Sequence, residues 1–256
     1  MASHRLWLLA NPYQLATLFL GIAVCLLAVV TTPPSSAIYL LRADYSRDAG
    51  TSTVWIGSLG YCKTDANNDT LTRTRSTIRC SSALIGYDVE GALQQDGMTI
   101  VSVPEASTIS IFLTRGLIVL NTIAIALCLV STAAHQAIRR RPTATAYVVA
   151  LGSSLLALLF SGIAFLFEHA LESYIASSYP ATDATFTTTA GPLVYAMLSA
   201  LAFQLAACVV GFYSCIGGKY RCEGGLRLED EESLGSGVGK GRSTIIYYPI
   251  LPNCPF

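Results

Sequence analysis

The run that decides the fold is 143–167, TATAYVVALGSSLLALLFSGIAFLF. It contains no charged residue, it follows Arg139-Arg140-Arg141, and it ends directly at Glu168. About 20 mostly apolar residues suffice for a helix to cross the hydrocarbon of a bilayer. A soluble helix of this length carries charges along one face, and this run carries none.

Three more runs of the same kind flank it. Leu15–Val30 lies inside the uncharged stretch between Arg5 and Arg42 and is stopped by Pro33-Pro34. Gly116–Ala134 is uncharged and rich in Leu, Ile, Val and Ala. Gly191–Ile216 is uncharged and is followed by Gly217-Gly218-Lys219. The expected organisation is an N-terminus at 1–14, spans at 15–32, 110–134, 143–167 and 191–216, a long loop at 33–107, a basic loop at 135–142, a second loop at 168–190 and a flexible tail at 217–256. The first run has an alternative reading as a signal peptide cleaved near Ala37, which leaves three spans and the same orientation. Composition agrees: 52% of residues are apolar and 12% are charged, against about 25% charged in soluble domains. Sixteen Lys and Arg balance sixteen Asp and Glu, so no net field recruits nucleic acid. Eight Cys in 256 residues are too sparse for a disulfide scaffold.

Orientation follows from Lys and Arg in the short loops. Arg139, Arg140 and Arg141 fill the loop between spans two and three, and Lys219 and Arg221 open the tail. The loop at 168–190 has Glu168, Glu172 and Asp183 but no Lys or Arg. The basic loop, the tail and the N-terminus are therefore expected in the cytoplasm, and the 33–107 loop outside. There the medium is oxidising, so Cys62 and Cys80, the two cysteines of that loop, are expected to form a disulfide. Closing about 19 residues contributes roughly 3 kcal/mol in the chain-entropy picture. Asn68-Asp69-Thr70 between them is an N-glycosylation acceptor. Strand signals at Ile38–Leu41, Thr53–Ile56 and Met98–Val103 suggest a small antiparallel sheet resting on the helix ends.

Trp55-Ile-Gly-Ser-Leu-Gly-Tyr-Cys62, followed by Cys80-Ser-Ser-Ala-Leu-Ile-Gly-Tyr87, resembles the fungal pali-domain (PalI-type) family. The residues that carry the resemblance are Trp55, Gly57, Gly60, Tyr61, Cys62, Cys80, Ser81, Ser82, Ile85, Gly86 and Tyr87. The similarity extends over about residues 10–222 and includes the four-span layout with its long first loop. The wider superfamily takes in fungal cortical-patch (eisosome) tetraspanners and, remotely, claudins. Gly60-Tyr61-Cys62 stands where claudins have a Gly-Leu-Trp element, so claudin proper is disfavoured. The resemblance implies a mainly α, claudin-like fold: a four-helix transmembrane bundle with a small antiparallel β-sheet domain outside. It also implies a plasma-membrane accessory protein that assists a multi-span pH receptor in ambient-pH signalling, or an organiser of cortical membrane domains linked to endocytosis and cell-wall integrity. Many PalI-type proteins carry a long Pro- and Gly-rich tail, and the stretch after Gly217 is short beside it. The domain resemblance therefore reaches further than the pathway.

The remaining residues have plainer readings. Trp55 either contacts a partner or packs the sheet onto the helices. Asn121 and Gln204 lie within spans, where amides hydrogen-bond between helices or line a path. No Asp, Glu, Lys or His falls at the centre of a span, which argues against a proton-coupled transporter. Gly152, Ser153, Ser154, Ser161 and Gly162 suggest close packing along span three. His169 beside Glu168 reads either as a pH-sensing group or as an ordinary interfacial residue. Arg139, Arg140 and Arg141 read as a lipid-facing basic loop that binds anionic headgroups or, more simply, as an orientation signal, and the two readings are compatible. Cys215 and Cys222 bracket the inner end of span four and are candidates for palmitoylation. Cys25, Cys128 and Cys208 read as packing residues within spans. The tail joins an acidic cluster, Glu229–Glu232, to alternating Gly and Ser and ends in an apolar stretch that reads as a docking peptide or a free end. No nucleophile with a base, metal cluster or cofactor motif is visible, so the reading is non-enzymatic, with no cofactor. Expected partners are membrane lipids, another membrane protein, cortical-domain proteins or a second copy of the chain, and no nucleic acid.

Overall fold

A computed structural model of the chain describes residues 12–47, 50–65, 77–89, 106–178 and 186–234. Its elements are α1 (Pro12–Val30), β1 (Leu41–Arg47), β2 (Gly50–Ile56), β3 (Tyr61–Asp65), β4 (Thr77–Cys80), α2 (Ala106–Arg140), α3 (Ala144–Ser178), β5 (Phe186–Ala190) and α4 (Pro192–Leu234). Among the described residues, four helices are long and apolar enough to cross a membrane. The protein is a mainly α, multi-pass membrane protein with a five-stranded antiparallel sheet at one end.

The bundle interior follows a repeat that hydropathy alone hides. In α3 the buried positions include Ala150, Ser154, Ala157, Ser161, Ala164, Glu168, Leu171 and Ile175. In α2 they include Ser110, Thr114, Leu117, Asn121, Ala124, Cys128, Ser131, His135 and Ile138. Alternating steps of four and three keep one seam facing the neighbours of a left-handed bundle. Small side chains dominate the seam, and these allow helix backbones to approach closely in lipid. The buried members of the expected small-residue stripe are Ser153, Ser154 and Ser161. A Cβ on Gly152 or Gly162 would meet nothing within 4 Å, so these two glycines make no close helix contact.

The core is stacked in layers. At the sheet end, Val30, Leu117, Ala164, Leu193 and Met197 pack together, one helix contributing to each corner. Below them lie Ala23, Leu27, Ala124 and Ala200, then Leu20, Cys128, Ala157 and Ala207. At the far end Ala134, Ile138 and Ala150 pack with Tyr13, Ala146 and Tyr147. From Leu117 to Ile138 is ~31 Å at 1.5 Å per residue, which matches the ~30 Å of bilayer hydrocarbon. The Leu117 and Ile138 layers thus fit the two hydrocarbon boundaries, a placement that puts Arg115 just above one and Arg139 just below the other, as the cost of charge in lipid requires.

Two helices go well past the sheet-end boundary. α2 begins ~16 Å above the Leu117 layer and α3 ends ~21 Å above Ala164. The sequence reading ends span three at Phe167 because hydropathy falls there. The helix continues because Leu171 and Ile175 find a second core, with Leu41, Val54, Ile56, Tyr87 and Val89 of the sheet region. At the other end α4 runs to Leu234, so the backbone stays helical past Gly217, where the sequence reading starts a flexible tail. Loss of hydropathy ends a span, and it does not end a helix whose residues still favour one. Residues 235–256, with the Gly-Ser stretch and apolar end, lie outside the described residues, as does the strand expected at Met98–Val103.

The sheet order is β4-β3-β2-β1-β5. The expected strand at Ile38–Leu41 is displaced: Ser35 and Ile38 close a turn through mutual backbone hydrogen bonds, and pairing starts at Leu41. From there side chains alternate, with Leu41 and Ala43 buried and Arg42 and Asp44 half-exposed. β5 comes from the second loop and pairs along β1 from Leu41↔Ala190 to Tyr45↔Phe186. Both inter-helix loops on this side thus feed one sheet.

Candidate functional site

The two halves of the Trp55–Tyr87 motif fold against each other into one clasp. Cys62 and Cys80 are directly opposite across β3 and β4 and form a disulfide. Tyr61 N–H donates to Ser81 Oγ (3.0 Å), and Ser81 N–H donates back to the Tyr61 carbonyl (2.9 Å). Leu84 N–H donates to the Leu59 carbonyl (2.9 Å). The Tyr87 hydroxyl donates to the Gly57 carbonyl (2.7 Å) in a buried site, with the Tyr61 ring 6.1 Å away. Burial pushes the Tyr87 phenol above its ordinary range, and the bond to Gly57 offsets only part of this.

Each glycine of the motif marks a close approach. A Cβ on Gly57 would fall 2.6 Å from Pro34 Cβ. Gly60 has φ of 150°, and its Cβ would fall on Ser81 Oγ. Gly86 takes a left-handed φ of 72° and passes within 3.0 Å, counted from an added Cβ, of Arg115 Cβ on α2. In both positive-φ positions an L side chain is strained.

The clasp also grips the helices. Ser58 donates to the carbonyl of Val30, the last residue of α1. Thr114 of α2 reaches the Tyr87 carbonyl (3.4 Å), and Ser110 reaches Asp88 (3.4 Å). α4 is seated by Gly191, whose N–H donates to the Leu40 carbonyl (2.6 Å) and which lies too close to Tyr39 to carry a side chain. Trp55 is half-buried in β2, between Arg42 of β1 and Cys62 of β3 in the pairing register. The motif is thus mostly consumed by internal contacts. Its exceptions are Ser82 and Ile85, which are exposed.

A model of the SUR7/PalI family matches residues 13–211. The chain belongs to the SUR7/PalI family. This is a non-enzymatic membrane family of the pH-response and cortical-patch type. No curated protein matches the chain. The matched segment starts at α1 and ends in α4, so the SUR7/PalI unit contains every bundle layer and the whole described sheet.

Other sequence-predicted residues are scattered. Asn68 lies outside the described residues. Arg139, Arg140 and Arg141 are exposed at the far end of α2 and in the turn to α3. Cys215 and Cys222 fall on α4, just past its apolar stretch Pro192–Ser214. Gln204 joins three helices: its amide donates to Ser161 Oγ (3.0 Å) and to Cys128 Sγ (3.4 Å). Asn121 is fully buried with neither amide atom partnered. His169 is exposed and its Nδ1 is 3.6 Å from Glu172.

Sequence reasoning put Glu168 at the edge of span three and missed its burial. It is 5% exposed and neither carboxyl oxygen has a hydrogen-bond partner. The signal was its step of four from Ala164, which places it in the seam. The far end holds a small cavity of about 10 Å³, lined by residues that include Tyr13, His135, Tyr147, Ser154, Cys208 and Gly211. Such a volume has room for about one water.

Proposed function

We propose that the chain is a non-enzymatic accessory or scaffold protein of the fungal plasma membrane that assists a multi-span receptor in ambient-pH signalling. The observation that supports this reading is the match to the SUR7/PalI family over residues 13–211. The clasp suits such a role, because it offers a platform held by its own internal contacts and seated on the helices. In this reading the sheet end faces the cell exterior, both termini and Arg139–Arg141 are cytoplasmic, Asn68 is glycosylated, and Cys215 and Cys222 are acylated. The receptor is gripped along exposed helix faces and the sheet.

A second reading, an organiser of cortical membrane domains, draws on the same family match and on the position of Cys215 and Cys222 just past the apolar stretch Pro192–Ser214 of α4. Acylation there would sort the protein into ordered lipid. A channel or transporter subunit is a third and weaker reading, marked by ligand-dependent currents.

The test is a deletion strain of the source organism grown at alkaline pH, with proteolytic processing of the pathway's zinc-finger transcription factor followed in parallel. Loss of growth and processing, both restored by the intact gene, is expected. Normal processing together with dispersal of immobile cortical patches refutes the pH-signalling reading and selects the second.

A further inference from the structure

The Ser81–Gly86 turn leaves two apolar side chains uncovered, Leu84 at 52% and Ile85 at 64% exposure. Burial of such groups is favourable, so adjacent exposed ones mark a contact surface when they join a larger patch. Their height above the bilayer decides what that contact is. The next residue, Gly86, lies against Arg115 and Ile111 of α2. These are ~3 Å and ~9 Å above the Leu117 layer at 1.5 Å per residue. The headgroup layer adds ~5–7 Å to each side of the hydrocarbon. The turn is therefore level with lipid headgroups.

The same level carries more uncovered apolar surface. Phe112 is 64% exposed on α2, with Ile111 and Ile109 beside it, and Leu166 is 63% exposed on α3. These residues continue upward the lipid-facing belt formed lower down by Val119 and Ile123 of α2 and by Leu155 and Leu159 of α3. Arg115 is exposed at this level too, where phosphate groups lie.

We propose that Leu84 and Ile85 form a membrane-dipping tip that inserts into the headgroup layer of the leaflet on the sheet side, with phospholipid as its occupant. The tip gives the sheet a footing on lipid in addition to its seats on the helices. This rests on the multi-pass arrangement alone and holds for either functional reading.

The test uses the full-length chain in phosphatidylcholine nanodiscs, with one environment-sensitive fluorescent amino acid at position 85 or, as control, at position 78. Ile78 is also exposed (49%), but it lies on β4 opposite Thr64, two residues beyond Cys80 and so ~7 Å farther along the strand. Lipids brominated near the headgroup are expected to quench the probe at 85 several-fold more than the probe at 78. Lipids brominated near the chain ends are expected to quench both weakly. Equal quenching at 85 and 78 overturns the proposal. So does a probe at 85 shielded from both bromolipid and aqueous iodide, since protein then covers the tip. Retention of the Cys62–Cys80 disulfide in each variant, read by non-reducing mobility, confirms the fold.

Discussion

Tyr87→Phe tests the clasp with the smallest possible change. The ring stays, so its packing against Tyr61, Val54 and Ile56 is preserved. What is lost is one hydroxyl and its 2.7 Å bond to the buried Gly57 carbonyl. A buried acceptor left without its donor costs about 1–3 kcal/mol. That is about 5- to 150-fold in the equilibrium between closed and open clasp. Hydrogen exchange on the protein in micelles reads this equilibrium at the Gly57, Tyr61 and Ser81 amides, which are held by the clasp itself. Exchange there is expected to accelerate by that factor, while the bundle amides of α1 and α4 are unchanged. The pH dependence has a definite sign. The folded phenol is raised above its ordinary value by burial. Tyr87 therefore supports the fold fully below about pH 10, and its contribution declines as pH climbs beyond that. The Phe variant lacks this alkaline decline. Unchanged exchange at the three amides, or an identical alkaline profile in both proteins, would show that the hydroxyl does not hold the clasp.

Other outcomes follow from the same geometry. Gly60→Val forces a side chain onto Ser81 at a positive φ and is expected to cost about 1–3 kcal/mol, seen as a lower Tm in detergent. Gly152→Ala meets open space and is expected to be neutral or to stabilise α3 by up to ~1 kcal/mol in the same assay. Cys80→Ser removes a bridge of sequence separation 18 and is expected to cost roughly 3 kcal/mol, read as faster limited proteolysis of the 33–107 loop with the bundle intact. Glu168→Gln sacrifices no hydrogen bond and removes a group whose charged form is costly to bury. Its Tm is expected to hold or rise, and a clear fall would mean that the carboxyl has a partner.

The spans were legible because charge is absent from them and a long apolar segment satisfies its own backbone in lipid as a helix. The ends of α2 and α3 were not, because above the bilayer the helices are kept by packing on Leu171 and Ile175 rather than by hydropathy. The disulfide could be read from two cysteines in one loop. β3 and β4 could not, since Tyr61–Asp65 and Thr77–Cys80 are short and polar and gain order mainly by pairing with each other. β5, Phe-Thr-Thr-Thr-Ala, pairs with a strand about 145 residues earlier in the chain, and no local pattern reports such a partner. The motif residues were visible as a set, but their work was not. The bond from Tyr87 to Gly57 spans 30 residues, and the contact of Gly86 with Arg115 needs the fold to exist.

The pairing of β1 with β5 has a mechanical consequence. β1 follows α1 and β5 precedes α4, so five residue pairs stitch the tops of these two helices together through the backbone. At the opposite end, among the described residues, only side chains such as Tyr13 and Tyr147 bridge the helices, apart from the short turn between α2 and α3. The stitch works like the hinge of a clothes-peg for α1 and α4: their sheet ends are tied, and the small cavity beside His135 lies at the opposite, unstitched end.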